Sequence, residues 1–148
     1  MAEFLHPDEL RARALLAEAG VTLLREDSPE RDALLIDVLD EESRFDRGTF
    51  VMEPLPPGEE FTAYGAWHIN NAPEFHSILD GTGILEYVTP GGVVSVILGP
   101  GDVMAVRRAE HRYRPLVPQL WIGRFGGGPG AELVPTETGR ISAPWPAV

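Results

Sequence analysis

Residues 68–81 read HINNAPEFHSILDG, and the fold turns on how this stretch is laid out. Side chains alternate along a β-strand, so residues two apart share a face. His68 and Asn70 then share one face of one strand, and Glu74 and His76 share one face of the next. Asn71-Ala72-Pro73 is the link, because asparagine and proline favour turns over strand interiors. Ile69 and Phe75 point the other way. The pattern predicts four polar groups on one concave β surface.

Working outward, the same grammar continues. Short runs rich in Val, Ile, Phe, Tyr and Trp are separated by Gly and Pro. The predicted strands are 49–53, 63–69, 75–79, 84–89, 93–98, 103–106, 111–114, 120–125 and 131–134. Pro90-Gly91-Gly92 and Gly99-Pro100-Gly101-Asp102 read as hairpin turns. Many short strands at regular spacing predict a mainly β sandwich or small barrel.

Before residue 46 the reading is helical. Pro7 suits the first turn of a helix, and Asp8 and Glu9 complement its positive end. Leu10, Ala14 and Ala17 recur at helical spacing, and Gly20 is the stop. Residues 21–25 read as a short strand. Ser28-Pro29 opens a second helix with an apolar stripe of Leu34, Leu35, Val38 and Leu39, ending near Glu42. The expected organisation is a single domain over 1–148: a helical segment at 1–45, a barrel core at 46–135 and a tail at 136–148. The glycine run at 126–130 is read as a loop. No lysine follows it and no strand-to-helix context surrounds it, as a phosphate loop would require.

Composition narrows the function classes. A chain of 148 residues fits one domain, which buries roughly 68–70% of its unfolded surface and needs no covalent staple. There are no cysteines, which excludes disulfides, thiolate metal sites and cysteine nucleophiles. The net charge of −11 opposes a nucleic-acid partner, since that affinity comes largely from Lys and Arg on phosphates. No apolar run approaches the roughly 20 residues that span a bilayer. The opening MAEFLHPDEL lacks the basic and apolar regions of a signal peptide. The expectation is a soluble, cytoplasmic protein acting on a small molecule, without membrane or nucleic acid, and able to pair as a homodimer.

The stretch from His68 to Gly81 resembles the first cupin motif, H-x-H followed by a glutamate and then a glycine. GDVMAVRRAEH, residues 101–111, resembles the second, whose histidine joins the first set at a common metal. Within the cupins, EFHSILDGTG at 74–83, DELRARALLAEAGV at 8–21 and LWIGRFGGGPG at 120–130 are similar to the acireductone dioxygenase group. The resemblance implies a double-stranded β-helix, or jelly-roll, barrel. There are departures. The second histidine of H-x-H is Asn70, Arg107, Arg108 and Ala109 replace the P-x-G before the last histidine, and His76 stands where an arginine is usual. What carries over as metal ligands is His68, Glu74 and His111.

Two histidines and one carboxylate form the facial triad of non-haem iron oxygenases. The expected cofactor is a divalent metal, Fe(II) first, with Ni, Mn or Zn as alternatives. His76 and Glu74 are the candidate catalytic pair, with His76 as fourth ligand, general base or substrate contact. Asn70, Tyr113 and Arg124 are the candidate substrate contacts. Tyr113 shares the face of His111, and Arg124 is the cation available to an anionic substrate. Trp67 and Trp121 are read as core, and Arg107 and Arg108 as rim charges. The competing reading is that His68, His111 and Glu74 merely fill a barrel with satisfied hydrogen bonds. The implied activity is dioxygenase-like chemistry on a small, enediol-like metabolite. A non-redox isomerase, cyclase or lyase, or a metal-free binding module, are the alternatives.

Overall fold

After residue 44, alternating polar and apolar side chains become strands, because each strand has one face to bury and a partner to satisfy its backbone. The structure, a computed structural model, describes residues 2–42, 44–128 and 132–148. Its elements run β1 (Glu3–Phe4), α1 (Glu9–Glu18), β2 (Val21–Arg25), α2 (Arg31–Val38), β3 (Phe45–Met52), a 3₁₀ turn (Ala63–Gly65), β4 (His68–Asn70), β5 (Glu74–Asp80) and β6 (Gly83–Thr89). They continue with β7 (Gly92–Leu98), β8 (Asp102–Val106), β9 (His111–Pro115), β10 (Gln119–Phe125) and β11 (Pro135–Glu137).

Two antiparallel sheets result, as a jelly roll requires. One is ordered β1-β7-β6-β9-β4-β11 and the other β2-β8-β5-β10-β3. The main core, including Leu16, Ile78, Leu85, Tyr87, Val96, Leu98 and Met104, draws on both sheets and on α1. A second core lies outside β5 and β8. There α2 and its exit, Val38 and Leu39, cover Phe75, Val103 and Ala105. Phe75 thus points away from His76 and Glu74, as alternation demands.

The first helix begins at Glu9, so Pro7 precedes the first turn in which it was expected and Asp8 is the cap. The Asp8 carboxylate accepts from the Arg11 N–H at 3.1 Å, the capping bond that aspartate supplies to an unpartnered amide. Gly20 follows the last turn with φ +86°, where a side chain would be strained.

The structure corrects further expectations. The N-terminal segment opens on an unexpected strand, β1, which joins β7, while β2 is the strand expected at 21–25. The second helix stops at Val38, not near Glu42, because Leu39 is extended and buried against β5. The strand expected at 63–69 is a 3₁₀ turn followed by the short β4. There Ala63 has φ +51°, and Gly65 lies so close to Glu60 that a Cβ would meet its carbonyl oxygen at 2.2 Å. Of the strand expected at 131–134, residues 132–134 are not strand and Ala131 lies outside the described residues; β11 begins at Pro135 instead. The glycine run at 126–130 is described only as far as Gly128. No helix among the described residues is long and apolar enough to cross a membrane.

The tail has little regular structure beyond β11 but is anchored. The Trp145 ring lies 3.9 Å from the Arg112 guanidinium, and Arg140 pairs with Glu110 at 2.8 Å.

Gly81, the glycine of the first motif, closes the turn between β5 and β6. Its φ is +75°, and a Cβ there would meet the Pro118 carbonyl oxygen at 2.3 Å. Gly81→Ala is expected to destabilise the fold by about 1–3 kcal/mol, read as a lower urea midpoint at unchanged m-value.

Candidate active site

The pocket opens between the two sheets, with a volume near 360 Å³, inside the range of small-molecule sites. β4 and β9 supply one wall, and His68 and His111 are direct cross-strand partners. Their rings lie 4.4 Å apart, centroid to centroid. The opposite sheet supplies Glu74 and His76 from β5. All four side chains, with Asn70, line one cavity. The close approach of His111 and His68 could not be read from local spacing. It follows from β9 pairing with both β6 and β4.

Both cross-strand histidines are held in one tautomer. Nδ1 of His68 donates to the Ala66 carbonyl at 2.7 Å, and Nδ1 of His111 donates to the Ala109 carbonyl at 2.7 Å. A proton on Nδ1 leaves Nε2 as a bare lone pair, the arrangement that backbone carbonyls impose on metal-binding histidines. Asn70 Nδ2 donates to Glu74 Oε2 at 2.8 Å and lies 3.4 Å from His111 Nε2. His76 Nε2 donates to Glu74 Oε1 at 3.1 Å. His111 Nε2 and Glu74 Oε2 are 3.9 Å apart.

Burial pushes the Glu74 carboxyl up, but hydrogen bonds from His76 and Asn70, with the nearby imidazoles, outweigh it and hold the acid below its ordinary range. Glu74 therefore sits ionised in a buried site, which is tolerable only because both oxygens are hydrogen-bonded.

The donor types suit a divalent cation: two imidazole lone pairs and one carboxylate. Among the described residues, however, no group of three or more histidine or acidic side chains is arranged to hold an ion as it stands. The Asn70 amide nitrogen bridges Glu74 Oε2 and His111 Nε2 from one side.

His76 stands on edge among aromatic rings. Its centroid is 5.0 Å from Trp121, 5.2 Å from Phe125 and 6.3 Å from Phe50. Gly123 is its cross-strand partner on β10, and a Cβ at Gly123 would come within 3.3 Å of His76 Nδ1. That glycine makes room for the imidazole. Nδ1 itself is buried without a hydrogen-bond partner among the described residues.

The other candidates divide. Tyr113 lines the pocket, but its hydroxyl donates to Gln119, so it serves as wall. Arg124 is not at the pocket. Alternation along β10 turns Trp121 and Phe125 inward and Arg124 outward, where it lies 3.5 Å from Asp46. Trp121, expected as core, is also pocket wall. Arg107 pairs with Asp37 on the surface, as a rim charge should. The reading of the sequence missed Arg47, Phe50 and Tyr64, which line the mouth. Arg47 lies 4.2 Å from the Phe50 ring and is the one cation of the described lining. The Arg-Gly-Thr-Phe run resembles an ordinary edge strand, so no local signal marked it.

Burial first, and then the neighbouring His111, hold the His68 imidazole below its ordinary value of 6.5, although the Ala66 carbonyl and Glu74 oppose this. The unfolded chain then binds this proton at higher pH than the folded one. The stabilisation is fully present above 6.5 and is lost as pH falls through the folded value. The urea midpoint of metal-free protein should fall between about pH 7 and pH 5, and His68→Gln should flatten that slope. Equal slopes in both proteins would contradict the assignment.

No protein-family model matches the chain. Acireductone dioxygenase from Rhodopseudomonas palustris strain TIE-1 is 32% identical over 105 residues, 68% of this chain and 62% of that protein. Acireductone dioxygenase from strain ATCC BAA-98 / CGA009 gives the same figures. The chain spans less than two thirds of the length of these curated relatives. Among solved structures, acireductone dioxygenase from Bacillus anthracis with cadmium ion in active center superposes with a TM-score of 0.63 at 18% identity. That match covers 91% of this chain and 96% of the other, a likeness of fold. The chain thus has a likeness of sequence and of fold to the acireductone dioxygenases.

Proposed function

We propose that this protein is a metal-dependent, dioxygenase-like cupin enzyme acting on a small oxygenated metabolite of the enediol kind. The observation that carries this reading is the pair His68 and His111. Both are tautomer-locked with Nε2 as a lone pair, and both line one cavity of substrate size with the Glu74 carboxylate. The sequence likeness to acireductone dioxygenases supports it.

His68 Nε2, His111 Nε2 and the Glu74 carboxylate are the residues that would hold the metal, Fe(II) first and Ni, Mn or Zn next. When bound, the metal supplies a Lewis-acid template for substrate oxygens. The remaining steps belong to the protein. His76 carries one proton on Nε2 toward Glu74 Oε1, so a proton taken from an enediol hydroxyl would be held at His76 Nδ1, with the resulting imidazolium balanced by the Glu74 carboxylate, and returned from there. Phe50, Met52, Tyr64 and Trp121 form an apolar wall that accommodates a hydrophobic arm and excludes water. Arg47 takes the role first assigned to Arg124, meeting negative charge at the mouth. The proposal includes a cytoplasmic setting, a single domain and a second copy as homodimer partner, with neither nucleic acid nor membrane involved.

A second reading has its own observation. The Glu74–His76 contact is complete without an ion, and such a pair suits a non-redox isomerase, cyclase or lyase.

Anaerobic reconstitution with Fe(II), followed by oxygen-electrode measurement with a small reductone, separates the two. The expected result is oxygen uptake in step with substrate loss. His76→Ala should lower kcat by about 10²–10⁴-fold with metal content unchanged. His68→Ala and His111→Ala should each bind metal at least about tenfold more weakly. Substrate conversion without oxygen uptake would establish the non-redox reading, and metal content below about a tenth per chain would retire both metal roles.

A further inference from the structure

We propose that the Asn70 amide is a built-in stand-in for the cation: it bridges Glu74 and His111 and keeps the pocket assembled until a metal displaces it. The inference deepens the function above and rests on that reading for the identity of the displacing ligand.

Nδ1 of His111 carries its proton toward the Ala109 carbonyl, so Nε2 offers only a lone pair. Glu74 Oε2 offers only lone pairs as well, at 3.9 Å. Two buried acceptors facing each other repel, and each loses its water. Within reach of both is an NH₂ group with two hydrogens. It donates at 2.8 Å to the carboxylate, and the imidazole lies at 3.4 Å. The two acceptors also fix which way the amide points, because the reverse orientation would set Oδ1 against their lone pairs. Asn70 is itself 6% exposed, so water does not compete for these contacts.

An amide nitrogen has no lone pair for a metal. A cation entering between Glu74 and His111 therefore requires the Asn70 side chain to rotate, either presenting Oδ1 or withdrawing. The residue thus stabilises the metal-free pocket and opposes metal binding. A histidine at this place would add a ligand; the asparagine replaces the ion instead. Asn70 is a positioning residue in this scheme, acting through Glu74 and His111.

The test uses the full chain, stripped of metal, as wild type, Asn70→Ala and Asn70→Asp. Each is titrated with Co(II) by calorimetry and melted with and without Co(II). Opposite signs are expected. Asn70→Ala should lower the metal-free Tm by about 2–6 °C and tighten Co(II) binding about tenfold. Asn70→Asp, which adds a second carboxylate, should lower the metal-free Tm further and tighten Co(II) more. A purely structural role would lower Tm and leave affinity unchanged or weaker, which overturns the proposal. Weaker Co(II) binding in Asn70→Ala would make Asn70 a ligand and also overturn it, as would no binding by any of the three proteins. If Asn70→Ala binds Co(II) and wild type does not, the stand-in is supported while the metal-dependent function fails. Tight binding by wild type and no gain in either variant leaves that function intact and removes the stand-in.

Discussion

A carboxylate removed from water has to be met by hydrogen bonds or positive charge, and Glu74 is the point where this protein meets that requirement. It is 4% exposed and its acidity is held in the ionised range. Its two oxygens draw in Asn70 from β4 and His76 from its own strand, and His111 approaches from β9. Each of these residues needs its backbone in a particular place. The turn at Asn71-Ala72-Pro73, the pairing of β4 with β9, and the glycine at 123 are all consequences felt at this one group. Remove the carboxylate, and the imidazoles and the amide lose the acceptor around which they are arranged.

The sheets make that convergence rigid. β9 is fixed from both faces. His111 and Tyr113 turn inward, while Arg112 turns outward and is 2% exposed. Arg112 pairs with Glu86 at 2.5 Å and is covered by Trp67 and Trp145. Glu86 also accepts from Ser95 Oγ at 2.5 Å. A buried ion pair of this kind is strongly destabilised when one partner is lost. It therefore specifies how β6, β7 and β9 align, and so which residues of β9 face the pocket. The tail contributes at a distance from the site by covering Arg112.

His76 shows how the site differs from a plain metal cage. Its Nε2 is committed to Glu74, and its ring is held edge-on by aromatics of β3 and β10. In the proposed function it handles a proton beside the acid, and the residues that would hold the metal are His68, His111 and Glu74. Asn70 differs in the complementary direction, placing a neutral donor where two lone pairs meet. The pocket is consequently complete in hydrogen bonding around Glu74 before any ion arrives.

Much was legible in the chain itself. Alternation placed His68 with Asn70 and Glu74 with His76, and turned Phe75 away, because period two is a local property of any strand. Gly20 announced the stop of the first helix, since its conformation depends on near neighbours alone. The arrival of His111 beside His68 was legible only through a family resemblance, because cross-strand pairing joins residues far apart in the chain. Arg47 at the mouth, Arg124 turned outward and Gly123 beneath His76 were not legible, because strand facing depends on register, and β10 changes register against both neighbours. The short β4 was hidden because the backbone of Gly65 packs against Glu60, a contact without composition. Sequence alone determined the chemistry available to this pocket: imidazoles, an amide and a carboxylate, with no thiol. Tertiary structure decided which lone pairs meet, because hydrogen-bond partners are set by the packing of two sheets and not by order along one chain.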